Sequence, residues 1–509
     1  MSPQRTRRTD LTGRPRRSPG SHRPHRSHRS RAVAGLVAAV AVSAAVACSE
    51  PPTSGGGGAA DPNDLPDCPL DALEAAEGPV DIEMWFGGLA GTPQNVMEGM
   101  VSGFNDSQDD VRLTASNQGV SYAEVYRTFE SAASASTDQL PALIYLEDTQ
   151  LEAMVDSGRV LPAQSCMEAD DFDMDSIEPV VRATYTVGDV LYPGYFNVST
   201  PVLYYNRAHF ARAGLDPDDP PGTLDELVEA ARTLREAGVS ERPFSLKLSR
   251  WFVETWLNGV GADVVNNGNG RDDLATESTL DSPEARDLFG LLQSMNDEGL
   301  LNPFADTEGN IDHYLALVSQ QSSMLVETSA ASSTIRDALG GAIDPAEAGI
   351  DASGLEGVDL SPGSAPFPGI DEPGQVRASG GAFYILNTAP PEEQAAAWRF
   401  LRYMLEPENG QEWFTQGGYL PVIPAVYDEP EVQAFTQDDV AGVLLQASAD
   451  QLRSANPDEP GPLIGPYPDF GDELESALES VVLEGADPGE ALGAADEALT
   501  RVLERYAGT

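Results

Sequence analysis

Apolar residues along this chain recur at two spacings. In Asp81-Ile82-Glu83-Met84-Trp85-Phe86 polar and apolar positions alternate before two aromatics close the run, the pattern of a half-buried β-strand. A glycine-rich turn occupies 87–91. Val96, Met97, Met100, Val101 and Phe104 then recur at helical spacing, up to about Asn105. Val111-Arg112-Leu113-Thr114 reads as a strand, and a helix over 123–133 with a strand over 140–146 completes a βαβαβ opening. Thr223 to Glu226 is a T-x-x-E capping box, in which two side chains satisfy orphan backbone N–H groups reciprocally. Leu224, Leu227, Ala231 and Leu234 share one face of the helix it starts, and Gly238 sits where a helix C-terminal glycine belongs. A helix after Pro390-Pro391 turns Ala397, Phe400, Leu401 and Met404 inward and stops at Pro407. Two more amphipathic helices occupy about 472–483 and 488–506. The stretch 345–375 is rich in Gly, Pro and Asp and predicts a long surface loop. Strands alternating with helices predict α/β layers, and no repeat of 20–50 residues is present.

The N-terminus is processing signal. Residues 1–47 hold ten Arg and one acidic residue, Asp10, and end in the apolar run 32–47. That run is too short to span a bilayer comfortably and reads as the core of a signal peptide. Ala45-Val46-Ala47-Cys48 resembles a bacterial lipobox, which implies that Cys48 is lipidated and becomes the first mature residue; an ordinary signal peptide cleaved nearby, with Cys48 incidental, is the other reading. Gly, Ser and Pro dominate the next stretch, so 48–66 reads as a flexible tether. In an exported chain the two remaining cysteines, Cys68 and Cys166, make the arithmetic of one disulfide; two free buried thiols are the other reading.

Charge changes the picture next. Without residues 1–47, 20 basic and 81 acidic residues remain, a formal charge of −61, and Lys247 is the sole lysine of the chain. Such a surface repels nucleic acid and anionic lipid. The acids are spread along the whole chain, as in a solvated coat. Carboxylate pairs therefore arise by chance and do not single out a glycosidase. Only His209 and His313 remain after residue 47, and no H-E-x-x-H, G-x-S-x-G or P-loop pattern occurs. The stretch 263–272 is similar to a calcium loop only faintly. Its spacing fits a polar hairpin better, so no metal or cofactor is expected.

The decisive run is Pro193-Gly194-Tyr195-Phe196-Asn197-Val198-Ser199-Thr200-Pro201-Val202-Leu203-Tyr204-Tyr205-Asn206-Arg207. It continues through Phe210, Ala213-Gly214-Leu215-Asp216-Pro217, Pro220-Pro221 and Thr223-Leu224-Asp225-Glu226-Leu227. Gly380-Gly381, Ala396-Ala397-Trp398, Phe400-Leu401, Pro407-Glu408-Asn409, Trp413 and Gly418-Tyr419-Leu420-Pro421-Val422 agree with it. So do Met84-Trp85-Phe86, Phe104-Asn105 and Ser121-Tyr122. Together, from about Val80 to the end, they resemble the extracellular solute-binding proteins of ABC sugar importers, most closely the glycerol-3-phosphate-binding branch. The resemblance implies a two-lobe periplasmic-binding-protein fold (type II), with the ligand cleft between lobes joined by hinge strands. The expected lobes are 67–196 with 326–386, and 197–325 with 387–509. Hinge crossings are expected near 196–201, 324–328 and 385–387. Closure is favoured because the ligand touches both lobes only when the cleft shuts.

The same resemblance carries over ligand-binding residues one at a time. The tyrosine of a G-x-Y motif matches Tyr122, with one residue inserted after Gly119. An acid after the third strand matches Glu147, with Asp148 as a neighbour that could substitute. The serine of F-N-x-S-T matches Ser199, and an aromatic floor matches Trp251. A hydroxyl after a strand matches Thr328 or Ser329. The second glycine of the pair matches Gly381, offering its N–H, and the tyrosine of G-Y-L-P matches Tyr419. Aromatic faces suit the C–H side of a sugar, and carboxylate and hydroxyl groups suit its OH pattern. Two positions depart from the branch. Its first strand carries Trp-His, where this chain has Trp85-Phe86. Its arginine before the final helices has no counterpart in 461–471, and arginine is the usual bidentate partner of phosphate. The expected ligand is thus a neutral carbohydrate or polyol, with glycerol-3-phosphate or a glycerophosphodiester as the alternative. A lipid-anchored monomer on the outer face of the cell membrane, partnered by ABC permease subunits, is the expected setting. A surface sensor or adhesion protein is the rival reading.

Overall fold

The computed structural model describes residues 59–89, 91–307, 311–340 and 360–508. The signal segment 1–47, Cys48 and most of the tether lie outside the described residues.

Two sheets organise the chain. The first is built from β1 (Val80–Phe86), β2 (Val111–Asn117), β3 (Leu143–Glu147), β4 (Val160–Leu161), β7 (Tyr195–Ser199) and β13 (Ser379–Leu386). Its order is β2-β1-β3-β13-β4, with β7 paired to β13. β1 is parallel to β2 and β3, whereas β13 runs antiparallel to β3, β4 and β7. The second comprises β8 (Pro201–Asn206), β9 (Phe244–Leu248), β10 (Leu301–Ala305), β11 (Met324–Thr328) and β12 (Pro362–Pro366). Its order is β10-β9-β11-β8-β12. A small hairpin joins β5 (Thr186–Val187) to β6 (Val190–Leu191).

Local sequence explains the elements. β1 buries Val80, Ile82 and Met84 and exposes Asp81 and Glu83, as its alternation requires. β3 is apolar from Leu143 to Leu146 and buried throughout, as a central strand covered on both faces must be. The capping box of Thr223 and Glu226 is formed at the start of the Leu224–Glu236 helix. Cys68 and Cys166 are joined as a disulfide across a Cα–Cα distance of 4.9 Å, tying the start of the domain to the Ala163–Ala169 helix.

The lobe boundaries differ from those expected. The first crossing falls at Thr200, between β7 and β8, because β7 still pairs with β13. β11 pairs with β8 and β9 in the second sheet, so 326 does not open a return to the first lobe. The return comes at 367–378, after β12 has paired with β8. The helices Pro391–Met404 and Pro407–Thr415 belong to the first lobe, not the second. Trp398, Phe400, Leu401, Met404, Trp413 and Phe414 fill its core. The third crossing is the helix Val440–Ser454, which gives Leu445, Ala449 and Leu452 to the first core and Leu444 to the packing around Val202 and Tyr204. Gln451 on this helix pins both other crossings. Its Nε2 donates to Thr200 Oγ1 and Pro201 O, and its Oε1 accepts from Phe367 N at 3.0 Å. Of the expected loop at 345–375, residues 345–359 lie outside the described residues, and the remainder contains β12, a strand with proline at both ends. Proline is tolerated there because β12 is an edge strand, so a missing N–H costs no ladder bond.

Candidate functional site

In α/β sheets, ligands bind outside the carboxyl ends of the parallel strands. The carboxyl end of β3 carries Glu147 and Asp148. The carboxyl ends of β9 and β11 carry Lys247, Arg250 and Trp251, and Glu327, Thr328 and Ser329. Groups of the two lobes converge there. Tyr122 OH lies 3.2 Å from Tyr145 OH, which donates to Asn197 Oδ1 at 2.7 Å. Tyr419 stands edge-on to Trp413 and acts electrostatically on Tyr122 and Tyr145 of its own lobe and on Tyr314 of the other, while Glu147 acts on Tyr419. Glu147 and Arg250 act on each other electrostatically across the lobes, without an ion pair between them.

Glu147 is half-buried, and its Oε2 accepts from Thr149 Oγ1 at 3.0 Å. Burial, then the charge of Asp148, pushes its carboxyl up to about 7, against the pull of Arg250. On the second lobe Arg250 packs over the Tyr467 ring, 5.2 Å from its centroid, and its Nη1 donates to Glu475 at 3.1 Å. Lys247 lies 3.5 Å from Asp306. Burial would lower its pKa, but Glu327 and Asp306 hold it above the ordinary value.

The structure sorts the residues carried over from the resemblance. Tyr122, Glu147 and Tyr419 come together on the first lobe, and Trp251 lies beside Arg250 on the second. Ser199 is buried at the first crossing. Ser329 is buried and donates to Gly418 O at 3.2 Å, whereas Thr328 stays half-exposed. Asp148 is not interchangeable with Glu147, because Arg377, Ser379 and the Gly380 N–H already occupy its oxygens. Gly381 does not offer its N–H to the cleft, since that group donates to Asn197 Oδ1 at 3.0 Å. Glycine is required there for space: a Cβ would lie 2.0 Å from the Tyr145 hydroxyl. Gly381→Ala should therefore lower stability by roughly 1–3 kcal/mol through overpacking, read by thermal unfolding.

Sequence reasoning missed Tyr145, Asn197, Arg250, Tyr314 and Arg377. Arg250 adjoins the singled-out Trp251, and its side chain packs on Gly471, inside the stretch that lacks a basic residue of its own. The stretch 263–272 is a turn held by its own asparagines: Asn266 Oδ1 accepts from Thr276 N and Asn269 Oδ1 from Val264 N. A polar cavity of about 1300 Å³ opens between the lobes at Arg182, Asn258, Arg271 and Gly461. It holds none of the residues carried over from the resemblance.

Two α/β lobes joined by three crossings, with aromatic and carboxyl groups meeting between them, define a two-lobe binding protein. The chain belongs to the bacterial extracellular solute-binding protein family, whose model matches residues 99–439. It is similar to the sn-glycerol-3-phosphate-binding periplasmic protein UgpB of Pectobacterium atrosepticum, 24% identical over 436 residues, covering 85% of this chain and 93% of that one. UgpB of Escherichia coli O6:H1 is 24% identical over 442 residues, 86% of this chain and 95% of its own. Among solved structures, UgpB from Mycobacterium tuberculosis in complex with glycerophosphocholine superposes with a TM-score of 0.64 at 19% identity, covering 85% of this chain and 100% of that one. The GacH receptor of Streptomyces glaucescens gives 0.66 at 18% identity, covering 84% and 99%. No helix among the described residues is long and apolar enough to cross a membrane.

Proposed function

We propose that the chain captures a small neutral carbohydrate or polyol between its lobes and delivers it to an ABC permease, with no bond of the solute made or broken. The observation that carries this is the grouping of Tyr122, Glu147 and Tyr419 on one lobe, with Arg250 of the other acting on Glu147 and Trp251 following Arg250 at the start of its helix. Aromatic faces cover the apolar side of a sugar ring, and carboxyl and hydroxyl groups read its OH pattern. The proposed contacts are Tyr122, Glu147, Ser199, Trp251, Thr328 and Tyr419, with Tyr145 as a backing residue. Lipidation of Cys48 would hold the domain as a monomer at the outer face of the membrane, at the end of the 48–66 tether.

The cations of the cleft support a neutral ligand. Arg250 and Lys247 each already face a carboxylate, Glu475 and Asp306. A phosphate would have to displace one of them. Arg250 is nonetheless the feature that favours the second reading, glycerol-3-phosphate or its diesters, because it supplies a guanidinium beside 461–471. Titration calorimetry with maltose, ribitol, glycerol-3-phosphate and glycerophosphocholine separates the two. Micromolar binding of a phosphate ester with no response to the neutral ligands would overturn the neutral assignment.

Binding should also depend on pH. A hydroxyl donating to Glu147 favours its ionised form, so affinity should rise with pH through about 7 and level off above. Glu147→Gln should flatten that profile. Lys247, the sole lysine, should be the one side chain that an amine-reactive reagent acylates, and bound solute should slow that labelling. Labelling indifferent to solute would place the ligand elsewhere.

A further inference from the structure

Arg377 is the last side chain but one before β13, on the second crossing, and is 2% exposed. Its guanidinium forks between the lobes. Nη1 donates to Asp148 Oδ2 at 2.7 Å, and Nη2 donates to Glu254 Oε2 at 3.1 Å. Both carboxylates are filled by further donors. Asp148 Oδ1 accepts from Ser379 Oγ at 2.7 Å and Gly380 N at 2.9 Å, and Glu254 Oε1 accepts from Tyr467 OH at 2.7 Å. Asp148 comes directly after Glu147 at the end of β3. Glu254 lies three residues after Trp251 in the Arg250–Gly259 helix, so the two share a face. Each partner of Arg377 is thus one residue, or one helical turn, from a residue proposed to touch solute.

Stability does not account for this arrangement. Taking a guanidinium and two carboxyl groups out of water is costly, and well-packed apolar residues commonly match or exceed such clusters in stability. What the cluster supplies is geometry: a planar fork holds two carboxylates at fixed angles, which a lysine cannot do. We propose that Arg377 is a positioning residue for solute capture, a hinge-borne cation that sets Glu147 of the first lobe in register with Trp251 of the second. The inference rests on the proposed cleft, but its test does not require the solute.

The experiment is deuterium exchange of the solute-free protein, tracking peptides 145–152 and 249–256. Arg377→Met should speed exchange in both, on the order of tenfold or more, since it leaves two buried carboxylates without their cation. Arg377→Lys keeps the charge and loses the fork, and should restore only part of the protection. Glu254→Gln is the deciding variant and the milder one, should Arg377→Met fail to fold. It alters only the second lobe, yet it should speed exchange in 145–152 of the first. Unchanged exchange in 145–152 on Glu254→Gln would overturn the inference and reduce Arg377 to local packing. Failure of the cleft itself would appear separately, as solute binding indifferent to Trp251→Ala with the exchange coupling intact.

Discussion

Replacing Trp251 by alanine should raise the dissociation constant of the captured solute by about 30- to 1000-fold, roughly 2–4 kcal/mol, with little change in melting temperature. Trp251 is half-buried at the start of its helix, and its ring lies 5.3 Å from that of Phe252. The core beneath is filled by Phe252 and Trp256, which the substitution leaves in place. The loss should thus fall on binding, where a large flat ring covers apolar solute surface at little cost in conformational entropy. Calorimetry beside a thermal melt separates the two effects. An unchanged dissociation constant would remove Trp251 from the site.

Glu327→Ala should destabilise the protein by about 3–5 kcal/mol. The carboxylate is 3% exposed, with His313 Nε2 2.6 Å from Oε2 and Thr328 N donating to Oε1 at 2.8 Å. Burial alone would push Glu327 up, but Lys247 and His313 hold it at about 2, below the ordinary 4.5. Truncation leaves the buried His313 ring and the Thr328 N–H without their acceptor and leaves Lys247 with Asp306 alone. Linkage gives the sign with pH. A depressed carboxyl stabilises fully above 4.5, and this contribution is lost as pH falls from there through about 2. Glu147, Glu152 and Glu475 act oppositely. Burial, first, lifts each to about 7, so they cost stability increasingly as pH rises from 4.5 to 7. Stability should peak near pH 5, and Glu327→Ala should flatten the acid limb alone. Denaturant unfolding at pH 3, 5 and 7.5 would show it. An acid limb as steep in the variant as in the parent would discard the assignment to Glu327.

Much of this was legible in the residues. Alternation at 81–86 marked β1, helical spacing at 96–104 marked the helix after it, and Thr223 with Glu226 marked a helix start, because each pattern is local and its period is set by backbone geometry. The run 193–207 with 418–422 carried the family. Lobe membership was not legible. An apolar strand such as β11 satisfies either sheet equally, and only pairing with β8 and β9 assigns it to the second. The helix Pro391–Met404 read correctly as a helix and Pro407–Thr415 was not read as one, and the lobe of both was set by which core lacked their apolar faces.

The site divides the same way. Residue types that suit a polyol could be read from Tyr122, Glu147, Trp251 and Tyr419. Which of their polar groups remain available is a tertiary matter. Gly381 gives its N–H to Asn197, and Ser329 gives its hydroxyl to Gly418. Asp148 and Glu147 are adjacent and chemically alike, yet Arg377, 229 positions along the chain from Asp148, takes one and leaves the other facing the cleft. The chain by itself determined the elements, the acidic surface and the family, since periodicity, charge and motif are written in consecutive residues. The three crossings, the convergence of two lobes and the choice of one carboxyl over its neighbour came only from folding, because hydrogen bonds between residues hundreds of positions apart leave no local mark.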